Sequence, residues 1–562
     1  MDMAKDYSKF THDELIKYIE ELQAQLKSEK YGLYWDKSIE IENTLETTKY
    51  NIPFLSRNSP NSSLSNLLTN NILVEGDNYN FLTIYKMINK ISFDCIYIDP
   101  PYNTGNKDFK YNDIFVDKED GYRHSKWLNF MSARLNIANE LLSDTGVIFI
   151  SIDEHEIGNL KLLCDKIFGY DNVDVLIWQK TDPKVDRNTN SKIIKRFNNF
   201  HEYIVVCYRN KHQTIFNKVM KLPEWKQKQT NPDKDPRGNW QSGIISYEEG
   251  HKNEDITSPY YYEIISPSGK RMKRHWFVTK EEMDFLLQDN RIYFPKNGEG
   301  VPRLKTFENE EKEYYMTSIL TGFGTSSSAK DEILNIFGDR EIFDTPKPVK
   351  LIKEIIRVST NKNSYVLDFF AGSGTTGQAV LELNKEDGGN RRFILCTNNE
   401  NNICTDVTYP RLKTVITGIR PDGTKYSDGI PANLIYYKTD FIKDSNNTDQ
   451  AKYCLVEKVD ELLCISEDIF IQLERNDYSS HYVSNDESRH MFIYSDYYNE
   501  TKFKEFKQRV LSTSGTKVVY IFSSDNNVDE TLFEGIKDVE VKPIPSKIYE
   551  IYKEIVEDIK RG

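Results

Sequence analysis

Short apolar runs recur along the chain, and several stop on an acid. "NILVEGD" (71–77), "FDCIYIDPPY" (93–102), "VIFISID" (147–153), "HEYIVVCYR" (201–209), "SYVLDFF" (364–370) and "RFILCTN" (392–398) are each strand-length and apolar at nearly every position. Continuous rather than alternating hydrophobicity predicts strands buried on both faces. Between them lie stretches of helical period, such as "SKWLNFMSARLNIANELLSDTG" (125–146), "KPVKLIKEIIRVS" (347–359) and "GTTGQAVLEL" (374–383). The alternation predicts an α/β fold around a mostly parallel sheet.

Two regions depart from that texture. Thr11-His12-Asp13-Glu14 has the form of a capping box, and Leu15, Ile19, Leu22 and Leu26 follow at helical spacing, so 1–45 reads as an N-terminal helical segment. From about 211 to 338 the alternation stops. "LPEWKQKQTNPDKDPRGNW", "SPSGKRMKRHWF" and "YFPKNGEG" are rich in basic, aromatic and turn residues and predict an inserted domain of short strands and long loops. The expected organisation is therefore 1–45, a core half at 46–210, an insertion at 211–338, a second core half at 339–412, and a C-terminal α/β domain at 413–562, with the N-terminal helix and the acidic C-terminal domain expected to serve assembly.

Composition refines this picture. A chain of 562 residues is too long for one core. Its net charge of -13 alone would argue against a polyanionic partner. The charge is uneven, however: residues 211–280 hold 13 Lys/Arg against 8 Asp/Glu, whereas 413–562 hold 20 against 27. The seven cysteines show no metal-ligand spacing, no run is long enough to span a membrane, and "MDMAKDYSKF" lacks an apolar signal core. These features predict a cytoplasmic protein with reduced cysteines and no metal site.

Two constellations carry chemistry. In "YVLDFFAGSGTTGQAV" (365–380) a buried strand ends on Asp368 and enters Phe370, Gly372, Ser373 and Gly374, with Thr375 and Thr376 opening a helix. Glycines let backbone approach a ligand, and a helix start with hydroxyls can receive an anionic group. One strand later Glu400 stands where an acid can hold ribose hydroxyls. Together these predict a nucleoside-cofactor site. The second constellation is Asp99-Pro100-Pro101-Tyr102. A carboxylate at a strand end, stiffened by two prolines whose carbonyls are left for other donors, suits an amino group carrying two hydrogens, and the tyrosine offers a face for a flat base.

"DPPY" followed much later by "FAGSG" resembles the amino-methylating DNA methyltransferases that use S-adenosylmethionine, in the circularly permuted β class. "KYGLYWDK", "IYIDPPYNTGNKDFKYND", "HSKWLNFM", "GVIFISIDEHE", "DPRGNW", "FDTPKPVKLIKEII", "LDFFAGSGTTGQAV" and "TNNENNICTDVTYPR" together resemble the modification (Mod) subunits of type III restriction–modification systems. The resemblance implies a permuted Rossmann-like core and N6-adenine methylation of double-stranded DNA at a specific site. It also implies an inserted target-recognition domain, two Mod copies and a helicase–nuclease (Res) partner. By the same resemblance Asp99 and the Pro100 carbonyl accept hydrogen bonds from the amino group of a flipped base, and Tyr102 stacks on that base. Asp77 and Lys347 resemble contacts to the adenine and methionine ends of the cofactor.

Other readings stay open. The same amino-group logic serves cytosine N4, the enzyme can be free-standing without a nuclease partner, and a binding-only subunit is a rival that the intact motifs oppose. His201-Glu202 reads as a wall of the base pocket or as a plain strand start. Lys270, Arg271, Lys273 and Arg274 read as DNA contacts or as a solvated face.

Overall fold

A ten-stranded sheet organises most of the chain. The computed structural model describes residues 41–562 apart from 65–66, 68, 89, 183–196, 222–229, 308–309, 311, 444–453, 457, 497–498, 523–529, 534–535, 537, 545–546 and 562, with Thr11, Ile16 and Trp35 ahead of them. The N-terminal helix expected at Leu15–Leu26 lies outside the described residues, Ile16 excepted. The chain divides into two units, Met1–Asn217 with Thr317–Gly562, and Lys218–Met316.

In the larger unit the sheet strands are β1 (Ile52–Arg57), β2 (Asn70–Glu75), β3 (Phe93–Ile98), β4 (Leu142–Ile152), β5 (Val173–Gln179), β6 (His201–Tyr208), β7 (Ile319–Leu320), β8 (Tyr365–Asp368), β9 (Arg392–Thr397) and β10 (Asn433–Ile442). Their order is β1-β10-β2-β9-β8-β3-β4-β6-β5-β7. The six strands from β10 to β4 run parallel, and β1 and β6 pair antiparallel at the two ends of that run. The apolar runs are buried as their continuous hydrophobicity predicts: Cys95, Ile96, Ile98, Val366, Leu367 and Ile394 are all at most 1% exposed. Strand β3 pairs with β8 through Cys95–Val366 and Ile96–Leu367, so the two halves of the sequence meet at the middle of the sheet.

Helices α1 (Asn43–Tyr50), α2 (Asn78–Ile88), α3 (Arg123–Leu141), α4 (Ile157–Phe168), α5 (Ser326–Phe337), α6 (Val349–Ser359), α7 (Thr375–Asp387), α8 (Tyr409–Thr417) and α9 (Lys547–Arg561) accompany it. None of the described helices is long and apolar enough to cross a membrane. All seven cysteines are free thiols, and six of them are buried.

Residues 413–562 are built into this unit. They supply β10, paired with β2 over six positions from Asn433–Asn70 to Lys438–Glu75, so the sheet continues past 412 to Ile442. A five-stranded sheet (471–543) follows, and α9 returns to pack on α2. Tyr437, Leu462, Tyr552 and Ile555 share one hydrophobic core with Phe81, Leu82 and Ile96. The Tyr552 hydroxyl donates to Thr48 O at 2.7 Å, and the Glu467 carboxylate receives Lys90 at 2.5 Å and Tyr520 at 2.7 Å. The acidic surplus of this region did not show that two of its elements complete the core of the first half.

The smaller unit has its own core. Strands Trp240–Ile244, Arg303–Phe307 and Ile292–Tyr293 form an antiparallel sheet, and Tyr261–Ile265 pairs with Arg271–His275. Ile245, Ile264, Met272, Trp276 and Met283 are buried together. Lys305, 1% exposed, is held by Asp233 and Asp235. Asp235 also accepts from Arg237, which with Lys305 keeps its carboxyl well below the usual range against burial.

Deleting 413–562 removes β10 and α9 together and leaves the edge of β2 and the apolar face of α2 uncovered. The truncated chain is expected to lack a cooperative thermal transition. A truncated form that melts sharply near the full-length temperature would show this region to be dispensable for folding.

Candidate active site

Four neighbouring parallel strands bring an acid to one edge of the sheet. β8 ends on Asp368, and Asp99 follows β3 directly. Asp77 lies two residues beyond β2, and Glu400 three beyond β9. Parallel strands share the polarity of their carboxyl ends, which is where open α/β sheets bind ligands.

Asp99 is held from several sides. Trp127 Nε1 donates to Pro101 O at 2.7 Å, so that carbonyl is occupied, and Asn103 turns the chain with a left-handed φ of 57°. Lys347 Nζ donates to both Asp99 oxygens, at 2.9 and 2.8 Å, and to the Tyr102 hydroxyl oxygen at 2.7 Å. The Tyr102 proton has two acceptors within reach, Asp99 Oδ1 at 2.9 Å and Glu202 Oε2 at 3.1 Å, and serves one at a time. Glu202 Oε2 lies 3.4 Å from Lys347, and its other oxygen accepts from Lys180 at 3.3 Å. Burial pushes the Asp99 carboxyl up, and Glu202 adds to that; Lys347 only partly offsets them. Glu202 is buried too, yet Lys347 and Lys180 outweigh burial and hold it below the usual range. Burial opposes the charge on Lys347, but Asp99 and Glu202 outweigh it and hold the ammonium above the usual lysine value.

The glycine turn is fixed by the protein around it. Asp368 accepts from Phe370 N at 2.9 Å and from the Thr376 hydroxyl at 2.5 Å, while burial raises its carboxyl to about 7. Gly372 and Gly374 have φ of 47° and 80°, a region that costs an L residue roughly 1–2 kcal/mol. A Cβ on Gly372 would lie 3.2 Å from the Phe343 ring, so a side chain there would press on the ring in addition to straining the backbone. Arg411 Nη1 donates to Ser373 Oγ at 2.9 Å and Thr375 Oγ1 at 2.8 Å. Ser373, Thr375 and Thr376 are all buried. The hydroxyls therefore serve the turn itself rather than standing free for an anion, and the turn's approach to a ligand is through its backbone.

Asp77 Oδ1 accepts from Tyr79 N at 2.8 Å and Asn80 N at 3.2 Å, so it caps α2, and Oδ2 stands 3.5 Å from Arg134. Arg134, fully buried, is gripped by both Glu42 oxygens at 2.9 and 2.7 Å. Asp77 thus has an architectural role beside any contact to a ligand. Glu400 has a side chain 45% exposed, with Lys110 at 3.0 Å. Phe370 lies 5.9 Å from Phe130, ring centre to ring centre.

In the smaller unit the basic cluster is split by strand alternation. Arg271 and Lys273 are exposed, Met272 between them is buried, and Arg274 is turned inward, donating to Ser246 Oγ at 3.0 Å and Tyr247 O at 2.7 Å. Lys270 donates to Glu299 O at 2.8 Å. The four cations do not form one surface.

Sequence reasoning placed Lys347 at the cofactor and missed its pairing with Asp99. It also missed Lys180, Arg411 and Arg134. A buried arginine carries no local signature, because its partners Ser373, Thr375 and Glu42 are distant in sequence.

Lys347→Met would leave the Asp99 carboxylate without its counter-charge beside Glu202. The expected loss is about 3–5 kcal/mol in urea unfolding near neutral or higher pH. It should shrink in acid, where Asp99 is protonated. An equal loss at both pH values would assign the effect to packing.

The family model described as "DNA methylase" matches residues 93–409, from the start of β3 to the head of α8. The chain is 35% identical over 360 residues to the type III restriction–modification enzyme StyLTI Mod subunit of Salmonella typhimurium, covering 60% of this chain and 54% of that protein. It is 30% identical over 452 residues to the EcoPI Mod subunit of Escherichia phage P1, covering 70% and 67%. It is 31% identical over 421 residues to the type II methyltransferase M.KpnI of Klebsiella pneumoniae, covering 71% and 96%. The chain thus spans about half the length of the StyLTI relative and nearly all of M.KpnI. With the matched residues enclosing both the Asp99 cluster and the glycine turn, the chain belongs to the DNA methylase family.

Proposed function

We propose that this protein transfers a methyl group from S-adenosylmethionine to the N6 amino group of adenine at a specific DNA site, as the modification subunit of a type III restriction–modification enzyme. The observation that carries the reading is the adjacency of β3 and β8, which puts Asp99-Pro100-Pro101-Tyr102 beside the glycine turn. The relatives named Mod subunits support the type III assignment; a helicase–nuclease partner and a second Mod copy are what we infer from that assignment.

The residues fit the cofactor. Glu400 is exposed enough to accept ribose hydroxyls, Phe370 offers an aromatic face, and the start of α7 turns its first amides to the glycine turn. Bound S-adenosylmethionine would supply a methyl group on a sulfonium, a good leaving group.

The chain's own part is alignment. Asp99 accepts one amino hydrogen and the Pro100 carbonyl the other, which turns the nitrogen lone pair out of the ring. Tyr102, its hydroxyl tied among Asp99, Glu202 and Lys347, presents a fixed ring to the base. Lys347 occupies both Asp99 oxygens and so stands where the amino group donates; Glu202 gives the ammonium a second carboxylate to move toward. The inserted unit reads the DNA.

A second reading has its own support. The near-complete coverage of M.KpnI favours a free-standing methyltransferase. Both readings expect methylation by this chain alone, and co-purification with a helicase–nuclease selects the type III one.

Asp99→Ala is expected to abolish methyl transfer while cofactor affinity, read by calorimetry, stays within a few-fold of wild type. Turnover near wild type would refute the assignment, and methylcytosine in the product digest would move the target to N4.

Replacing exposed Arg271 and Lys273 by glutamine should lower the log–log salt slope of DNA binding by roughly 0.9 for each phosphate that is no longer neutralised. Arg274→Gln should instead lower the melting temperature, since that guanidinium is an internal donor. An unchanged slope in the double variant would place Arg271 and Lys273 on a solvated face.

A further inference from the structure

The glycine turn has a second set of supports, from α8 and the residue before it. Thr408 Oγ1 donates to Gly372 O at 2.6 Å. Three residues on, Arg411 donates from Nη1 to the Ser373 and Thr375 hydroxyls and from Nε to Gln378 Oε1 at 2.8 Å. Its side chain is 0% exposed, and its Nη2 has no hydrogen-bond partner. Glu332 of α5 lies 3.7 Å from that nitrogen, and its oxygens accept from Val349 N at 3.3 and 3.1 Å. Val349 opens α6, two residues after Lys347.

We infer that Arg411 and Glu332 form a positioning link that fixes the cofactor turn against the segment carrying Lys347. The inference rests on the reading of Gly372–Thr375 as a cofactor turn. One end of the link is the pair of hydroxyls on that turn, and the other is the first amide of α6. Neither residue touches the reacting atoms. A shift of α6 would move Lys347 on Asp99, and the same shift would pull Glu332 from Arg411, so the geometry of the two halves is set together.

Charge makes the link conditional. Burial lowers the Arg411 pKa against the pull of Glu332, and burial raises the Glu332 carboxyl to about 7. The groups facing Glu332 are Arg411 from α8, Lys353 and the Val349 amide from α6, Glu382 from α7, and Tyr426 beyond α8. When ionised, Glu332 supplies the counter-charge of Arg411; when protonated, it does not. The link is therefore complete above about pH 7 and loosens below it. The stability sign is opposite. A carboxyl raised in the folded state costs stability as pH rises from its unfolded value toward 7, so neutralising Glu332 should not lower the melting temperature in mild base.

The test compares the full-length protein with Glu332→Gln, Arg411→Lys and Arg411→Met. S-adenosylmethionine binding is measured by calorimetry, and kcat and KM for cofactor and DNA by methyl transfer, from about pH 6 to 8.5. Wild type is expected to bind the cofactor about fivefold more tightly at the upper end. Glu332→Gln should stay at the weak value throughout, with an unchanged KM for DNA and no fall in melting temperature near pH 8. Arg411→Met should weaken cofactor binding further, and Arg411→Lys should restore part of it. A Glu332→Gln protein with the wild-type pH profile and cofactor affinity overturns the link, whether or not the Arg411 variants fold. A wild-type protein that binds no S-adenosylmethionine at any pH overturns the function proposed above and the link with it.

Discussion

One ammonium group ties the candidate site together. Lys347 sits on the carboxylate that follows β3, the phenol three residues later and the carboxylate near the start of β6, with its own position set by the head of α6. Two carboxylates around one buried cation leave surplus negative charge, and the site divides it unequally. Glu202 keeps its charge with help from Lys180, and Asp99 is pushed toward protonation. An acceptor held at that balance is suited to trade one donor for another. Breaking the cluster by removing the cation is costly, because Glu202 is buried and Asp99 largely so, and both lose Lys347 as counter-charge.

The second constraint is the order of the sheet. Cys95 and Val366 are neighbours across two strands although nearly half of the chain's length separates them. The carboxyl ends of β3 and β8 can build one site only because both strands run parallel and in register. Around the turn after β8 the protein spends its hydroxyls on its own architecture, and what remains toward a ligand is backbone. Positive φ at Gly372 and Gly374 and the Phe343 ring show why glycine recurs there.

Much of this was legible in the sequence. The continuous apolar runs became central strands because both faces are covered. The acids at strand ends fell along one edge because strand polarity is shared. What escaped reading is what depends on distant partners. Arg274 looked like one of four surface cations, yet pleating turns it inward, away from exposed Arg271 and Lys273. The pairing of Lys347 with Asp99 joins residues that no window of sequence contains. The strand Asn433–Ile442 looked like part of a separate domain because 413–562 has an alternation of its own, although the strand's apolar half matches the core it completes.

The late position of that strand has a consequence for the nascent chain. β2 and β3 leave the ribosome early, but the neighbours of β2 are β9 and β10, and one neighbour of β3 is β8. At about 5–20 residues per second, the wait from β3 to β8 is on the order of 10 to 60 seconds. Through that interval β2 lacks both of its native neighbours and β3 lacks one, and apolar edges of this kind pair readily with other chains. Biosynthesis of this protein therefore includes a window in which holdase chaperones have an extended substrate, and for β2 that window closes only when Ile442 has cleared the exit tunnel.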